Sequence, residues 1–252
     1  MMLGKEMRLR RIIDEKTGNL LIVPMDHGVS LGPVQGISTI QDSVRKAGAG
    51  GATCVVLHKG IASLMDRDSI GDLGLIMHVS ASTSLSSDAN TKVLVGGVYD
   101  AIRLGADAVS IHVNLGGANE PEMLEDLGEI SSECAESGMP LLAMMYPRGE
   151  NVANQFDPHA VMHCARVGAE LGADIIKTNY TGDIESFKKV VSGCAVPVVI
   201  AGGPKMESEE ALLTMVRDAM TAGARGISIG RNVFQHKDIA GITRKLADIV
   251  FS

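Results

Sequence analysis

The sequence predicts an α/β protein, a (β/α)8 barrel of the TIM type. Three observations carry that expectation. The chain has 252 residues, the usual length of one such barrel. Eight short apolar runs alternate along it with stretches of helical pattern. One junction recurs three times, as Gly105-Ala106-Asp107, Gly172-Ala173-Asp174 and Gly223-Ala224-Arg225, each time ahead of a strand-like run. The glycine supplies a left-handed helix stop, and the small alanine lets the chain enter the next strand closely. An open doubly wound sheet is the competing fold, but no Gly-x-Gly-x-x-Gly follows the first strand. No linker or low-complexity segment divides the chain, so residues 1–252 are expected to form a single barrel domain.

Taken in order, Leu20-Leu21-Ile22-Val23-Pro24 is continuously apolar, as suits a strand buried on both faces. It ends in Met25-Asp26-His27-Gly28-Val29-Ser30. A helix over roughly 37–46 leads to the run Thr53 to Leu57, which ends His58-Lys59-Gly60. Leu75 to Val79 is the third run, followed by a Ser-rich loop over 80–87. The spacing then predicts helices over 98–104, 120–137, 158–171, 184–192, 208–222 and 239–250. Between them lie strands at Ala108 to Val113, Pro140 to Tyr146, Asp174 to Lys177, Pro197 to Ala201 and Ile227 to Ile229.

Composition narrows the function. Hydrophobic residues make up 45%, enough for a large core, yet no run of about 20 apolar residues offers a membrane span. The N-terminus is basic (Lys5, Arg8, Arg10, Arg11) but reaches Asp14 and Glu15 without an apolar signal core, so a cytoplasmic protein is expected. A net charge of −7 argues against nucleic acid as a partner. The absence of tryptophan and 3% aromatic content disfavour stacking platforms. Cys54, Cys134, Cys164 and Cys194 are far apart, which reads as reduced, mostly buried thiols rather than a zinc site.

In such barrels the chemistry sits at the C-terminal ends of the strands. Lys177 ends a run of β-branched residues there. Desolvation at a barrel mouth disfavours an ammonium, and a neutral amine attacks a ketone to give a Schiff base. The other reading is a strand-end lysine that reaches out to solvent. Tyr146, in Tyr146-Pro147-Arg148-Gly149, either exchanges a proton with a substrate hydroxyl or is a rim tyrosine bonded to backbone. Asp26 either relays a proton or caps a turn. Gly202-Gly203 and Gly230-Arg231 close the last two strands, the usual phosphate site of this fold. That signal fits a substrate phosphate and the phosphate of a bound nucleotide such as FMN alike. His27, His58, His78 and His112 suggest a metal ring. No His-x-His opens the first strand and supporting carboxylates are sparse, so no metal is assigned. His159 and His163 stand four apart without the Glu of a His-Glu-x-x-His motif and read as surface or packing residues.

Five motifs in register, Met25-Asp26-His27-Gly28, Tyr146-Pro147-Arg148-Gly149, Lys177 with Tyr180-Thr181-Gly182-Asp183, Gly202-Gly203-Pro204-Lys205 and Gly230-Arg231-Asn232, resemble the archaeal-type class I aldolases over nearly the whole chain. The resemblance implies Lys177 as the Schiff-base lysine, Tyr146 as proton donor and Asp26 as proton acceptor. It implies substrate contacts at Asp26, His27, Gly28, Val29, Ser30, Tyr146, Pro147, Arg148, Lys177, Gly202, Gly203, Gly230 and Arg231. It implies no cofactor, a phosphorylated keto sugar and an aldehyde acceptor as substrates, and a homo-oligomer, often a decamer of two rings. Val23 to Pro33, Leu57-His58-Lys59-Gly60, Ser110 to Asn114 and Phe234-Gln235-His236 are most similar to the transaldolase branch of that family. That branch moves a hydroxyacetone unit from 6-deoxy-5-ketofructose 1-phosphate to L-aspartate 4-semialdehyde, on an alternative route to 3-dehydroquinate and aromatic amino acids. Cleavage of fructose 1,6-bisphosphate is the alternative. A metal-dependent barrel hydrolase and a non-catalytic phosphate-ligand or FMN barrel stand behind it. The polar rim residues His27, Ser30, His58, Lys59, His112 and Asn114 are the candidates for the acceptor.

Overall fold

The computed structural model describes residues 2–252. Eight parallel strands close into a barrel. They are β1 (Leu20–Pro24), β2 (Cys54–His58), β3 (Gly74–His78), β4 (Ala108–Leu115), β5 (Leu141–Pro147), β6 (Ile175–Thr178), β7 (Val198–Ala201) and β8 (Gly226–Ser228). Each pairs with its sequence neighbours, and β1 pairs with β8 to close the ring. The eight expected runs are therefore the eight barrel strands, with ends shifted by a residue or two. The three recurring glycines, Gly105, Gly172 and Gly223, all have φ between +72° and +100°, the left-handed stop that the junction requires.

A period of two sorts each strand into two layers. Leu20, Ile22, Cys54, Val56, Ile76, Ala108, Leu142, Met144, Tyr146, Ile175 and Val199 fill the barrel interior. Their neighbours Leu21, Val23, Val55, Leu57, Val109, Ala143 and Ile176 face the surrounding helices. Both layers are fully dry, which is why the strands read as continuous rather than alternating apolar runs.

The basic N-terminus, which the sequence left without a structural role, is a helix, Leu3–Ile12. Ile12 is fully buried with the barrel interior and stoppers its N-terminal end. The junction aspartates hold the helix there. Lys5 Nζ lies 2.8 Å from Asp174 Oδ2, and Arg11 Nε lies 2.6 Å from Asp107 Oδ1. Each carboxylate also accepts from a strand amide, Leu141 N and Leu75 N, both at 2.9 Å.

At the other end, the Ser-rich stretch 80–87 expected as a loop after β3 opens with one strand of a two-stranded antiparallel ribbon, Ser80–Ala81, which pairs with Val93–Leu94 beyond it. The turn after β1 is a short helix, His27–Leu31. Cys54, Cys134 and Cys164 are buried free thiols whose pKa burial raises to about 12, and Cys194 is free and partly exposed. His159 and His163 lie exposed on the helix Pro158–Glu170. No helix among the described residues is long and apolar enough to cross a membrane.

Candidate active site

The same parity that fills the barrel carries polar groups into its mouth. Past Ile175, the next interior positions are Lys177 on β6 and Asn179 just beyond its end. Past Leu142 and Met144 on β5 come Tyr146 and Arg148. Val56 leads to His58, and Ile76 leads to His78 and Ser80. Ala108 leads through Ser110 to His112 and Asn114. Together with Asp26, His27, Ser30, Ser82, Lys92 and Ser228, these strand ends surround a cavity of about 290 Å³, with Ser110 and Asn114 buried behind its wall.

Lys177 is 7% exposed and reaches that cavity from β6. Its Nζ lies 3.9 Å from Met144 Sδ, the cross-strand partner set by the register of β5 and β6. Among the described residues it forms no ion pair. At that burial Lys177 does not reach out to solvent, and a buried amine without a carboxylate partner is expensive.

Asp26 stands between two imidazoles, with His27 Nδ1 at 3.4 Å and His78 Nε2 at 3.9 Å. Burial pushes its carboxyl up, but the charges that His27, His78, Lys177 and His58 carry at the low pH where it would take up a proton together outweigh burial and hold it well below the usual carboxylate range. It is ionised at neutral pH. His78 goes the other way: burial pushes it down to about 4, so it is neutral. Its Nδ1 is 2.8 Å from Ser110 Oγ, directly across the β3–β4 ladder. His58 packs edge-on against it at 5.1 Å between ring centroids, and burial lowers its pKa as well.

Asp26, His58 and His78 each bring one ligand-type atom within 4.8 Å of the others. Of the four histidines that suggested a metal ring, His27 instead packs on Phe234 at 5.1 Å and His112 bonds Asn114 Oδ1 at 2.9 Å. Two neutral imidazoles beside an ionised carboxylate make a proton network as well as they make a ligand set.

Tyr146 is 4% exposed, and its ring is fixed on two sides. The His112 ring lies 5.0 Å away, and the Arg148 guanidinium lies 4.3 Å from the Tyr146 centroid. Across the mouth, Gly230 touches the barrel so closely that a Cβ would stand 2.6 Å from Pro24 O and from the His27 ring. Gly203 has φ +61°, a conformation other residues rarely take. Arg231 Nη2 donates to Gly203 O at 2.9 Å, so the two glycine loops and their cation are one assembly.

Of the residues expected to touch substrate, Asp26, His27, Ser30, Tyr146, Arg148, Lys177, Gly202, Gly203, Gly230 and Arg231 line the cavity. Gly28 and Val29 lie on the short helix behind it, with Val29 40% exposed. Pro147 lines an adjoining recess with Arg148, Gly203 and Arg231. Lys59 is off the cavity: β2 ends at His58, and Lys59 opens the short helix Lys59–Ala62, where it is exposed and pairs with Asp100 at 3.2 Å. Lys92, Asn179, Ser80, Ser82, Met144 and Ser228 line the cavity without having been singled out in the sequence. Counting in twos from the interior apolar residues would have found Ser80, Met144 and Asn179.

Comparison with known proteins agrees with this geometry. Residues 20–236 match the model of the DeoC/LacD family aldolases. The chain is 46% identical over 249 residues to 2-amino-3,7-dideoxy-D-threo-hept-6-ulosonate synthase 1 of Archaeoglobus fulgidus, covering 99% of this chain and 92% of that protein. It is 42% identical over 247 residues to the 2-amino-3,7-dideoxy-D-threo-hept-6-ulosonate synthase of Halobacterium salinarum, covering 98% and 91%. A solved archaeal fructose-1,6-bisphosphate aldolase, with its catalytic lysine covalently bound to the carbinolamine intermediate, superposes with a TM-score of 0.89 at 34% identity, covering 99% and 100%. With a buried lysine at the mouth of a closed parallel barrel and a family match across every strand, the chain belongs to the DeoC/LacD family of aldolases.

Proposed function

We propose that this chain is a Schiff-base transaldolase, a 2-amino-3,7-dideoxy-D-threo-hept-6-ulosonate synthase. One observation carries the reading: a buried lysine without an ion pair among the described residues, in a cavity that also holds an ionised carboxylate and a phenol. The near-full-length identity to synthases of that name supports the choice of reaction.

In this reading Lys177 attacks the ketone beside the methyl group of 6-deoxy-5-ketofructose 1-phosphate and loses water to form an iminium. The iminium is the electron sink for breaking the carbon–carbon bond two atoms away. Asp26, ionised and facing Lys177, takes the proton of the hydroxyl that becomes an aldehyde, and hydroxypyruvaldehyde phosphate leaves. The enamine of hydroxyacetone stays on Lys177. It attacks the aldehyde of L-aspartate 4-semialdehyde, Tyr146 gives a proton to the new alkoxide, and hydrolysis frees the product. Gly202, Gly203, Gly230 and Arg231 hold the donor phosphate, and no metal or organic cofactor takes part.

Borohydride added with the donor is expected to fix a mass on the peptide containing Lys177, and Lys177→Arg to abolish it, because a guanidinium stays protonated. An adduct on Lys59 or Lys205 overturns the assignment. Product is expected only with donor and semialdehyde together. Fructose 1,6-bisphosphate cleavage tenfold faster than transfer, about 1.4 kcal/mol in transition-state binding, would replace transfer by simple aldol cleavage. The reading also makes the chain a homo-oligomer. Leu3 and Met7, one turn apart on the N-terminal helix, and Tyr99 with Ile102 leave apolar surface for such contacts. Light scattering on the eluting protein checks it, and a monomer at micromolar concentration counts against it.

A further inference from the structure

The cavity has positive groups on two sides, and only one has been given a ligand. Barrel order puts β3 and β4 four strands from β7 and β8, the far side of the mouth from the glycine loops. On that far side the ribbon after β3 brings Lys92 back over the cavity. Lys92 is half-buried, and its ammonium donates to Ser82 Oγ and to Ala89 O, both neutral acceptors. Arg148 lines the same cavity, and also the recess beside Gly203 and Arg231, with Nε donating to Gln155 Oε1 at 3.0 Å and no carboxylate bonded to it among the described residues. His112 lies on the same side, its Nε2 held by Asn114 Oδ1.

These groups feel one another. After burial, the Arg148 charge is the next cause lowering the pKa of Lys92, and the charges of Lys92 and Arg148 both lower that of His112. Asp88, the acid on the same loop, is already taken by Asn90 N and Thr91 Oγ1. The charges of Asp26 and Asp88 offset part of the Arg148 repulsion on Lys92, but among the described residues neither is bonded to it, and an anion placed between the two cations relieves both.

We infer that Lys92, with Arg148 and His112 beside it, is the docking site for the carboxylate of the aldehyde acceptor. The inference rests on the transaldolase reading above. It gives the cavity two anion sites, phosphate on one side and carboxylate on the other, with Lys177 on β6 between them. An acceptor anchored by its carboxylate at Lys92 presents its aldehyde toward the lysine-bound enamine.

The experiment compares Lys92→Met and Lys92→Arg with the wild-type chain, using the same donor and two acceptors. One acceptor is L-aspartate 4-semialdehyde; the other is 3-aminopropanal, which lacks the carboxylate. Lys92→Met is expected to raise KM for the semialdehyde about tenfold or more, the scale of one charge-assisted hydrogen bond. The specificity constant for 3-aminopropanal should change less than threefold, and Lys92→Arg should recover most of the semialdehyde KM. Equal losses with both aldehydes would mean that Lys92 only shapes its loop, and would overturn the site. A KM rise for the phosphorylated donor, with that for the semialdehyde unchanged, would move the anion to the donor and overturn it too. Borohydride capture of the donor on wild-type Lys177 reports separately on the parent reading: without that adduct the transaldolase itself fails, whereas with it an unchanged semialdehyde KM removes only the carboxylate site.

Discussion

Replacing Tyr146 by Phe removes one oxygen from the cavity wall and leaves the ring. The ring is held by the His112 imidazole at 5.0 Å and the Arg148 guanidinium at 4.3 Å, and both contacts are available to phenylalanine. A cation over an aromatic face contributes about 0.5–2 kcal/mol, so a variant that keeps it should lose less than about 1 kcal/mol of stability. Loss of a proton donor should lower turnover by roughly two to four orders of magnitude, about 3–5 kcal/mol in the barrier. The separation between those two magnitudes is the diagnostic. Turnover measured with donor and semialdehyde should collapse while the melting temperature moves by only a few degrees. Borohydride should still trap the donor on Lys177, because the amine is untouched. Turnover within threefold of wild type would refute the proton role. A loss of activity matched by a large drop in melting temperature would mean that the hydroxyl is structural.

Arg231→Ala should raise KM for the phosphorylated donor much more than for its dephosphorylated analogue, and equal losses would make Arg231 a scaffold for Gly203. Treatment with EDTA should leave turnover unchanged; a loss restored by zinc would assign Asp26, His58 and His78 to a metal. His78 is buried neutral with its pKa lowered from 6.5 to about 4. Between those values the unfolded chain binds the proton more readily, so stability falls as pH drops through that window. Melting curves from pH 7 to pH 4 should show the fall, and His78→Gln should flatten it; an unchanged slope would place the acid sensitivity elsewhere. Asp107→Ala should remove on the order of 2 kcal/mol by leaving the Leu75 amide and Arg11 without their acceptor. That is a drop of about 4–8 °C in melting temperature for a chain of this size, and calorimetry showing less than 1 °C would rule out the clamp.

Within the molecule, what is local was legible and what is long-range was not. Leu20 to Pro24 or Pro197 to Ala201 declares a strand within a few residues, because a doubly buried strand is apolar at nearly every position. The Gly-Ala junctions likewise carry their backbone requirement in their own three residues. Lys177, Tyr146, Asp26 and the glycine loops could be picked out because each ends such a run. The alternation then fixes which side chains enter the barrel, but it did not separate Lys59 from His58, because β2 ends at His58 and Lys59 opens a short helix.

Barrel closure decided the rest. The N-terminal helix became a stopper through long-range pairs such as Lys5 with Asp174, 169 positions apart in sequence, and Arg11 with Asp107. Its own pattern, basic with few apolar residues, gave no sign of a buried end. Lys92 sits in a polar loop with no motif, and its place over the cavity follows from the ribbon that pairs Ser80 with Leu94. The sequence listed Asp26, His58 and His78 as three separate strand ends. That they share one small space, with His78 neutral and Asp26 ionised, comes from desolvation and from charges brought together by the closed sheet, which no single stretch of the chain encodes.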